Sequence, residues 1–148
     1  MTLADKLVTK ALVKAPFISH LNAGSCNGCD IEIVAALSPR FDVERFGITL
    51  QGSPRHADVL VCTGSVTMSM APRLKNIYEQ MANPKFVIVV GACGISGGVF
   101  QNCYNSCLGI DKIIPVDLYI PGCPPRPEAI IFGVYTLLQA LQNPPEVS

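Results

Sequence analysis

Phe86-Val87-Ile88-Val89-Val90 runs directly into Gly91-Ala92-Cys93-Gly94, and these nine residues decide the fold. Five consecutive apolar residues, β-branched after Phe86 and closed by glycine, describe a strand covered on both faces, as strands of parallel sheets are. The run Asp58-Val59-Leu60-Val61-Cys62 has the same character and delivers a small-residue loop, Thr63-Gly64-Ser65-Val66-Thr67. In doubly wound sheets ligands collect at such carboxyl ends. Working outward, Phe17 to Asn22 reads as a short strand and Phe41 to Leu50 as a second strand region. Ile113 to Ile120 reads as a last strand, its Pro115 suiting an edge or a strand start. Between them Asp30 to Leu37, Pro72 to Met81 and Glu128 to Leu141 carry helical patterns. Strands alternating with helices predict an α/β fold with an open, mostly parallel, flavodoxin-like sheet.

Three segments follow from this pattern: an amphipathic helix over residues 1–16, an α/β domain over 17–142, and a tail over 143–148. In the first, Leu3, Leu7, Ala11 and Leu12 share a face while Lys6, Lys10 and Lys14 form a separate stripe, and Pro16 ends the helix. A basic amphipathic helix of this kind rests on an anionic membrane surface or a partner, or simply presents a solvated lysine face above a docking helix. The chain has 148 residues, 49% hydrophobic and only 15% charged, against about 25% charged for an ordinary soluble domain. Some of its surface is therefore expected to be covered by a partner. Formal net charge is zero, and without a basic footprint nucleic acid is excluded as a partner. Seven cysteines with no signal peptide ahead of them suggest a reducing compartment and thiolate chemistry. No stretch reaches the roughly 18 uninterrupted apolar residues of a spanning helix.

Four cysteines stand out: Cys26 and Cys29 in Ser25-Cys26-Asn27-Gly28-Cys29, Cys93 in Gly91-Ala92-Cys93-Gly94, and Cys123 in Pro121-Gly122-Cys123-Pro124-Pro125. A single buried cysteine is usually a small hydrophobe. Here, however, two share a metal-ligand spacing and all four sit in glycine- or proline-broken loops. They read as a four-thiolate site that forms only when three separated stretches meet. Zinc suits four thiolates, but structural zinc usually pairs two short knuckles. One Cys-x-x-Cys completed by two solitary cysteines favours a [4Fe–4S] cluster, with zinc as the rival.

Other residues carry weaker signals. Asp30 and Glu32 fall where the first turn of a helix is expected, and suit its positive end; Glu32, three residues past a ligand, is also a candidate for proton transfer coupled to electron transfer. The Thr63–Thr67 loop is either a flavin-phosphate cradle or a loop closing over the metal site or a neighbouring subunit. His56 and Asp58 shape the entrance to the following strand, and Met68, Met70 and Met81 read as packing residues. Ser96 to Gly109 reads as loop-rich; Cys103 and Cys107, four apart, would share a helix face only if that segment were helical, and with Cys62 offer a second cluster; ordinary thiols are the simpler reading.

Taken in order, Cys26-Asn27-Gly28-Cys29-Asp30-Ile31-Glu32, Gly64-Ser65-Val66-Thr67 with Met70-Ala71-Pro72, Gly91-Ala92-Cys93 with Gly97-Gly98, and Val116-Asp117 through Pro121-Gly122-Cys123-Pro124-Pro125-Arg126-Pro127-Glu128 resemble the small subunit of membrane-bound, energy-converting [NiFe] hydrogenases and the related 20-kDa subunit of respiratory complex I. The resemblance spans residues 17–142. Complex I subunits carry two adjacent cysteines at the first motif, whereas Cys26 and Cys29 have the hydrogenase spacing, which related sulfur-reducing complexes also share. It implies that Cys26, Cys29, Cys93 and Cys123 bind one proximal [4Fe–4S] cluster, and that nickel–iron ligands belong to a large partner subunit. It further implies a ferredoxin-like cluster subunit and integral membrane subunits as partners, with this chain peripheral on the cytoplasmic side of the membrane and the amphipathic residues 3–14 as the candidate for any lipid contact. Electrons would pass through it for H₂ evolution or the reverse, coupled to ion translocation. A complex I-like subunit donating to quinone or a sulfur substrate, and a zinc-stabilised flavodoxin-like binding module, are the competing readings.

Overall fold

The computed structural model describes residues 11–142. The expectations for residues 1–10 and for the tail from 143 lie outside them. Residues 11–14 are helical and Pro16 ends the turn, because proline supplies no N–H to continue it. Leu12 is buried while Ala11 is exposed, so these two do not share a face as expected.

Five parallel strands form the sheet: β1 (Phe17–Asn22), β2 (Thr49–Leu50), β3 (Val59–Thr63), β4 (Phe86–Val90) and β5 (Leu118–Ile120). Their order, β2-β1-β3-β4-β5, with every pair parallel, is the flavodoxin-like arrangement. Three helices lie between the strands, α1 (Gly28–Leu37), α2 (Ala71–Gln80) and α3 (Ala92–Ser96), and α4 (Pro127–Gln142) follows β5. The two-residue side-chain period sends alternate residues of each strand to opposite faces. Ile18, Val59, Val61, Ile88, Val90 and Ile120 pack beneath α1 and α4; Leu60, Cys62, Val87 and Val89 pack with Leu74 of α2 and Ile110. Both faces are thus covered, which is why β3 and β4 read as unbroken apolar runs.

Two expected strands shrink. Between Phe41 and Leu50 only Thr49–Leu50 pairs; Val43–Phe46 is a 3-10 turn flanked by left-handed Asp42 and Gly47. Val43 and Ile48 enter the core as separate points. Between Ile113 and Ile120 only Leu118–Ile120 pairs, because Ile113 and Ile114 donate back to the carbonyl of Ile110 and Asp117 serves the strand entrance. Its carboxylate accepts the Val87 N–H at 2.7 Å. Asp58 acts alike at β3, accepting the Phe17 N–H at 3.0 Å. That is the entrance-shaping role expected for Asp58. Met81 is buried and Met70 packs against the core, whereas Met68 is 61% exposed.

Candidate metal centre

The four cysteines of the proposed site leave the carboxyl ends of three strands. Cys26 follows β1, and Cys29 lies in the first turn of α1, which starts two residues before the expected position. Cys93 follows β4 inside the short helix α3, and Cys123 follows β5. Backbone hydrogen bonds lash the last two loops together: Gly91 N–H donates to the Ile120 carbonyl at 2.9 Å and Ala92 N–H to that of Gly122 at 2.8 Å.

Glycine makes the approach possible. A Cβ on Gly91 would lie 2.5 Å from Cys29 Sγ, and one on Gly98 would lie 3.0 Å from Cys93 Sγ. Both have positive φ, +93° and +51°, a region costly for residues with a side chain. Gly28 is not constrained in this way, since a Cβ there would meet Cys26 Sγ and the Pro124 ring only at the ordinary contact distances of 3.6 and 3.9 Å.

Cys29 and Cys93 feel the thiols around them. Burial first, then Cys93, Asp30, Cys26 and Cys123 in turn, push the Cys29 thiol up to about 11. Cys93 is raised by burial, Cys123 and Cys26, against the lowering effect of the Val99 backbone N–H. Negative charge is thus disfavoured at Cys29 and Cys93, and a cationic iron or metal centre held by the four thiolates would supply the missing compensation. Cys26 and Cys123 are exposed and Cys29 and Cys93 half-buried, so the site, called the crater below, opens at the surface of this chain. The donor set fits a four-thiolate centre. No three His, Cys, Asp or Glu side chains among the described residues are gathered tightly enough to hold a single metal ion.

The Thr63–Thr67 loop is filled by protein. Gly64 and Gly24 interlock, so that a Cβ on either would strike the other loop's backbone, and Ala23 N–H donates to Thr63 O at 2.9 Å. Cys107 N–H takes the Val66 carbonyl at 2.7 Å. The loop therefore buttresses the first cysteine motif, in line with closure over the site.

Glu32 is half-buried in the second turn of α1, and only Asp30 falls in the first. The dipole contact expected for Glu32 is absent because the helix begins earlier. Asp30 is engaged instead by His20, Asn22 and Thr63, a polar cluster the sequence reading missed. Its signal was available, since His20 and Asn22 follow Ile18 at the two-residue period of one face of β1. Cys62 points into the core beside α2, and burial raises its thiol to about 12. Cys103 is exposed in a turn and Cys107 half-buried; the segment from 101 to 109 is turns and loop, so the two do not share a helix face.

No described helix is long and apolar enough to cross a membrane. The probable membrane-bound hydrogenase subunit mbhJ of Pyrococcus furiosus is 54% identical over 132 residues, covering 89% of this chain and 79% of that protein. Formate hydrogenlyase subunit 7 of Escherichia coli is 47% identical over 134 residues, 90% of this chain but 52% of its own length. Among solved structures, a chain of the archaeal membrane-bound sulfane sulfur reductase superposes with TM-score 0.83 at 39% identity, over 94% of this chain and 77% of that one. A chain of an NAD⁺-reducing [NiFe]-hydrogenase, at TM-score 0.65 and 21% identity over 85% of this chain and 92% of its own, shares the fold. The family model described as NADH ubiquinone oxidoreductase, 20 Kd subunit, matches residues 26–137, and the chain belongs to that family.

Proposed function

We propose that this chain is the electron-transfer subunit of a membrane-associated [NiFe] hydrogenase, and that Cys26, Cys29, Cys93 and Cys123 hold one [4Fe–4S] cluster beside a large subunit carrying the catalytic centre. The observation that carries the reading is the delivery of four thiols by the loops at three strand ends, close enough that Cys29 and Cys93 are raised by the other thiols around them. Such a cluster supplies one-electron exchange at a potential set by burial and hydrogen bonding. The chain's own residues do the rest. Gly91 and Gly98 clear space beside the sulfurs, Pro124 and Pro125 stiffen the Cys123 loop, and the interlocked Gly24 and Gly64 anchor the Cys26 loop. Glu32, one turn beyond Cys29, is the candidate for moving a proton near the crater. Ferredoxin-linked clusters and membrane subunits complete the proposed complex, with this chain peripheral to the bilayer.

The test is anaerobic purification of the complex followed by iron and sulfide analysis and EPR of the dithionite-reduced state. About four irons on this chain, reducible by low-potential ferredoxin, are expected. Stoichiometric zinc in a colourless protein would establish the binding-module alternative instead. A second reading keeps the cluster and changes the substrate, and the likeness to the sulfane sulfur reductase chain favours it. The neighbouring large subunit decides between them: two Cys-x-x-Cys pairs with H₂ evolution support the hydrogenase, and their absence with sulfur reduction supports the rival.

A further inference from the structure

A second polar construction sits immediately behind the thiols. On the face of the sheet where Ile18, Val59 and Val61 enter the core, the next inward positions are His20, Asn22 and Thr63. Polar groups placed there are unfavourable unless hydrogen-bonded, and among the described residues no buried side-chain nitrogen or oxygen lacks a partner. Asp30, its side chain 15% exposed, is the hub. Its Oδ1 accepts from Thr63 Oγ1 at 2.5 Å and lies 2.9 Å from His20 Nε2, while its Oδ2 accepts from Asn22 Nδ2 at 2.6 Å.

Asn22 reaches both sides of the cysteine pair. Its Oδ1 accepts the N–H groups of Gly24 and Ser25 at 2.9 and 2.8 Å, just ahead of Cys26. Its Nδ2 donates to Asp30, the residue after Cys29, and to Asn27 Oδ1 at 3.2 Å, between the two cysteines. The sheet does not need these bonds, since β1 is already paired along its length with β3. Their geometric effect falls on the Cys26 loop and on the helical turn bearing Cys29.

Resting on the proposed cluster site, we infer that Asn22, backed by Asp30, His20 and Thr63, is its positioning residue, setting the separation of Cys26 from Cys29 before iron is bound. Outer partners of metal ligands act in this way by removing freedom from the donors. In the purified complex, Asn22→Ala is expected to lose iron to a ferrous chelator about tenfold faster or more, and to shift the g-values of the reduced EPR signal. Exchanging the pair, Asn22→Asp together with Asp30→Asn, keeps one donor–acceptor bond between the two positions and the acceptor for Gly24 and Ser25. It is expected to restore the wild-type signal. A merely structural role would lower the melting temperature without moving the spectrum. Should Asn22→Ala fail to fold, Thr63→Val, which preserves strand packing and deletes one donor to Asp30, is expected to change chelator kinetics and g-values in the same direction. Wild-type kinetics and spectrum in whichever of these variants folds would overturn the inference alone. A wild-type complex with no iron–sulfur signal would overturn the proposed site, and this inference with it.

Discussion

Cys62 and Cys103 carry the same thiol into opposite surroundings, one inside the core on β3 and one exposed in a turn. Burial raises Cys62 from 9.0 to about 12 because a thiolate there would lose its hydration. Since the folded value lies above the unfolded one, the stability this group contributes is complete below about pH 9 and is lost as pH rises toward 12. Cys62→Ala is therefore expected to flatten the alkaline decline of the melting temperature relative to wild type between pH 9 and 11. At pH 8, iodoacetamide followed by peptide mass spectrometry should label Cys103 within minutes and leave Cys62 unmodified until denaturant is added. Gly91 gives a second residue-scale prediction. Gly91→Ala sets a methyl group 2.5 Å from Cys29 Sγ at φ +93°, so iron content per folded chain should fall about tenfold or more while the far-UV circular dichroism stays native.

Among the elements, α4 lies on β5 at a distance that only glycine permits, a Cβ on Gly133 meeting Ile120 Cδ1 at 2.5 Å. Gly133→Leu overpacks this seam and should lower the urea midpoint by the equivalent of about 1–3 kcal/mol, with Cys123, at the end of the same strand, displaced as a consequence. The strands that were legible in the sequence, β3 and β4, are those buried on both faces, where composition alone declares the environment. Phe41 to Leu50 and Ile113 to Ile120 misled because single apolar side chains such as Val43, Ile48 and Ile114 dock from turns, and an apolar count does not distinguish docking from pairing. The cysteine motifs were legible for a different reason, since glycine and proline mark loops independently of packing. Helix α1 begins at Gly28 after a left-handed Asn27, a cap that side-chain periodicity does not reveal, and Glu32 was placed one turn too early for that reason. The Asn22–Asp30 network joins residues from two strands and a helix, so its meaning exists only once β1, β3 and α1 are assembled.

At the scale of the whole molecule, the low charge content becomes a question of what covers the crater. Just past Cys93 the chain leaves Val99 86% exposed and Phe100 41%, and further along Tyr104 96%; Val99 follows the glycine that abuts Cys93. Clustered apolar side chains on a surface mark an interaction site, and exposed Cys26 and Cys123 leave an electron carrier wet unless a partner closes over them. The proposed large subunit is the occupant this arrangement suits, because exposed Val99 adjoins the proposed ligand Cys93. Hot-spot substitutions at such a centre weaken binding by about 2 kcal/mol or more, roughly 30-fold. The double variant Val99→Asp with Tyr104→Asp is thus expected to elute apart from the large subunit in gel filtration at concentrations where the wild-type chains co-elute. Its iron content should be unchanged, because neither side chain is a ligand. Glu79→Lys, on the exposed end of α2 remote from the crater, should leave the complex intact. Co-elution of the double variant at wild-type affinity would move the docking surface to another face, and with it the path by which electrons leave the chain.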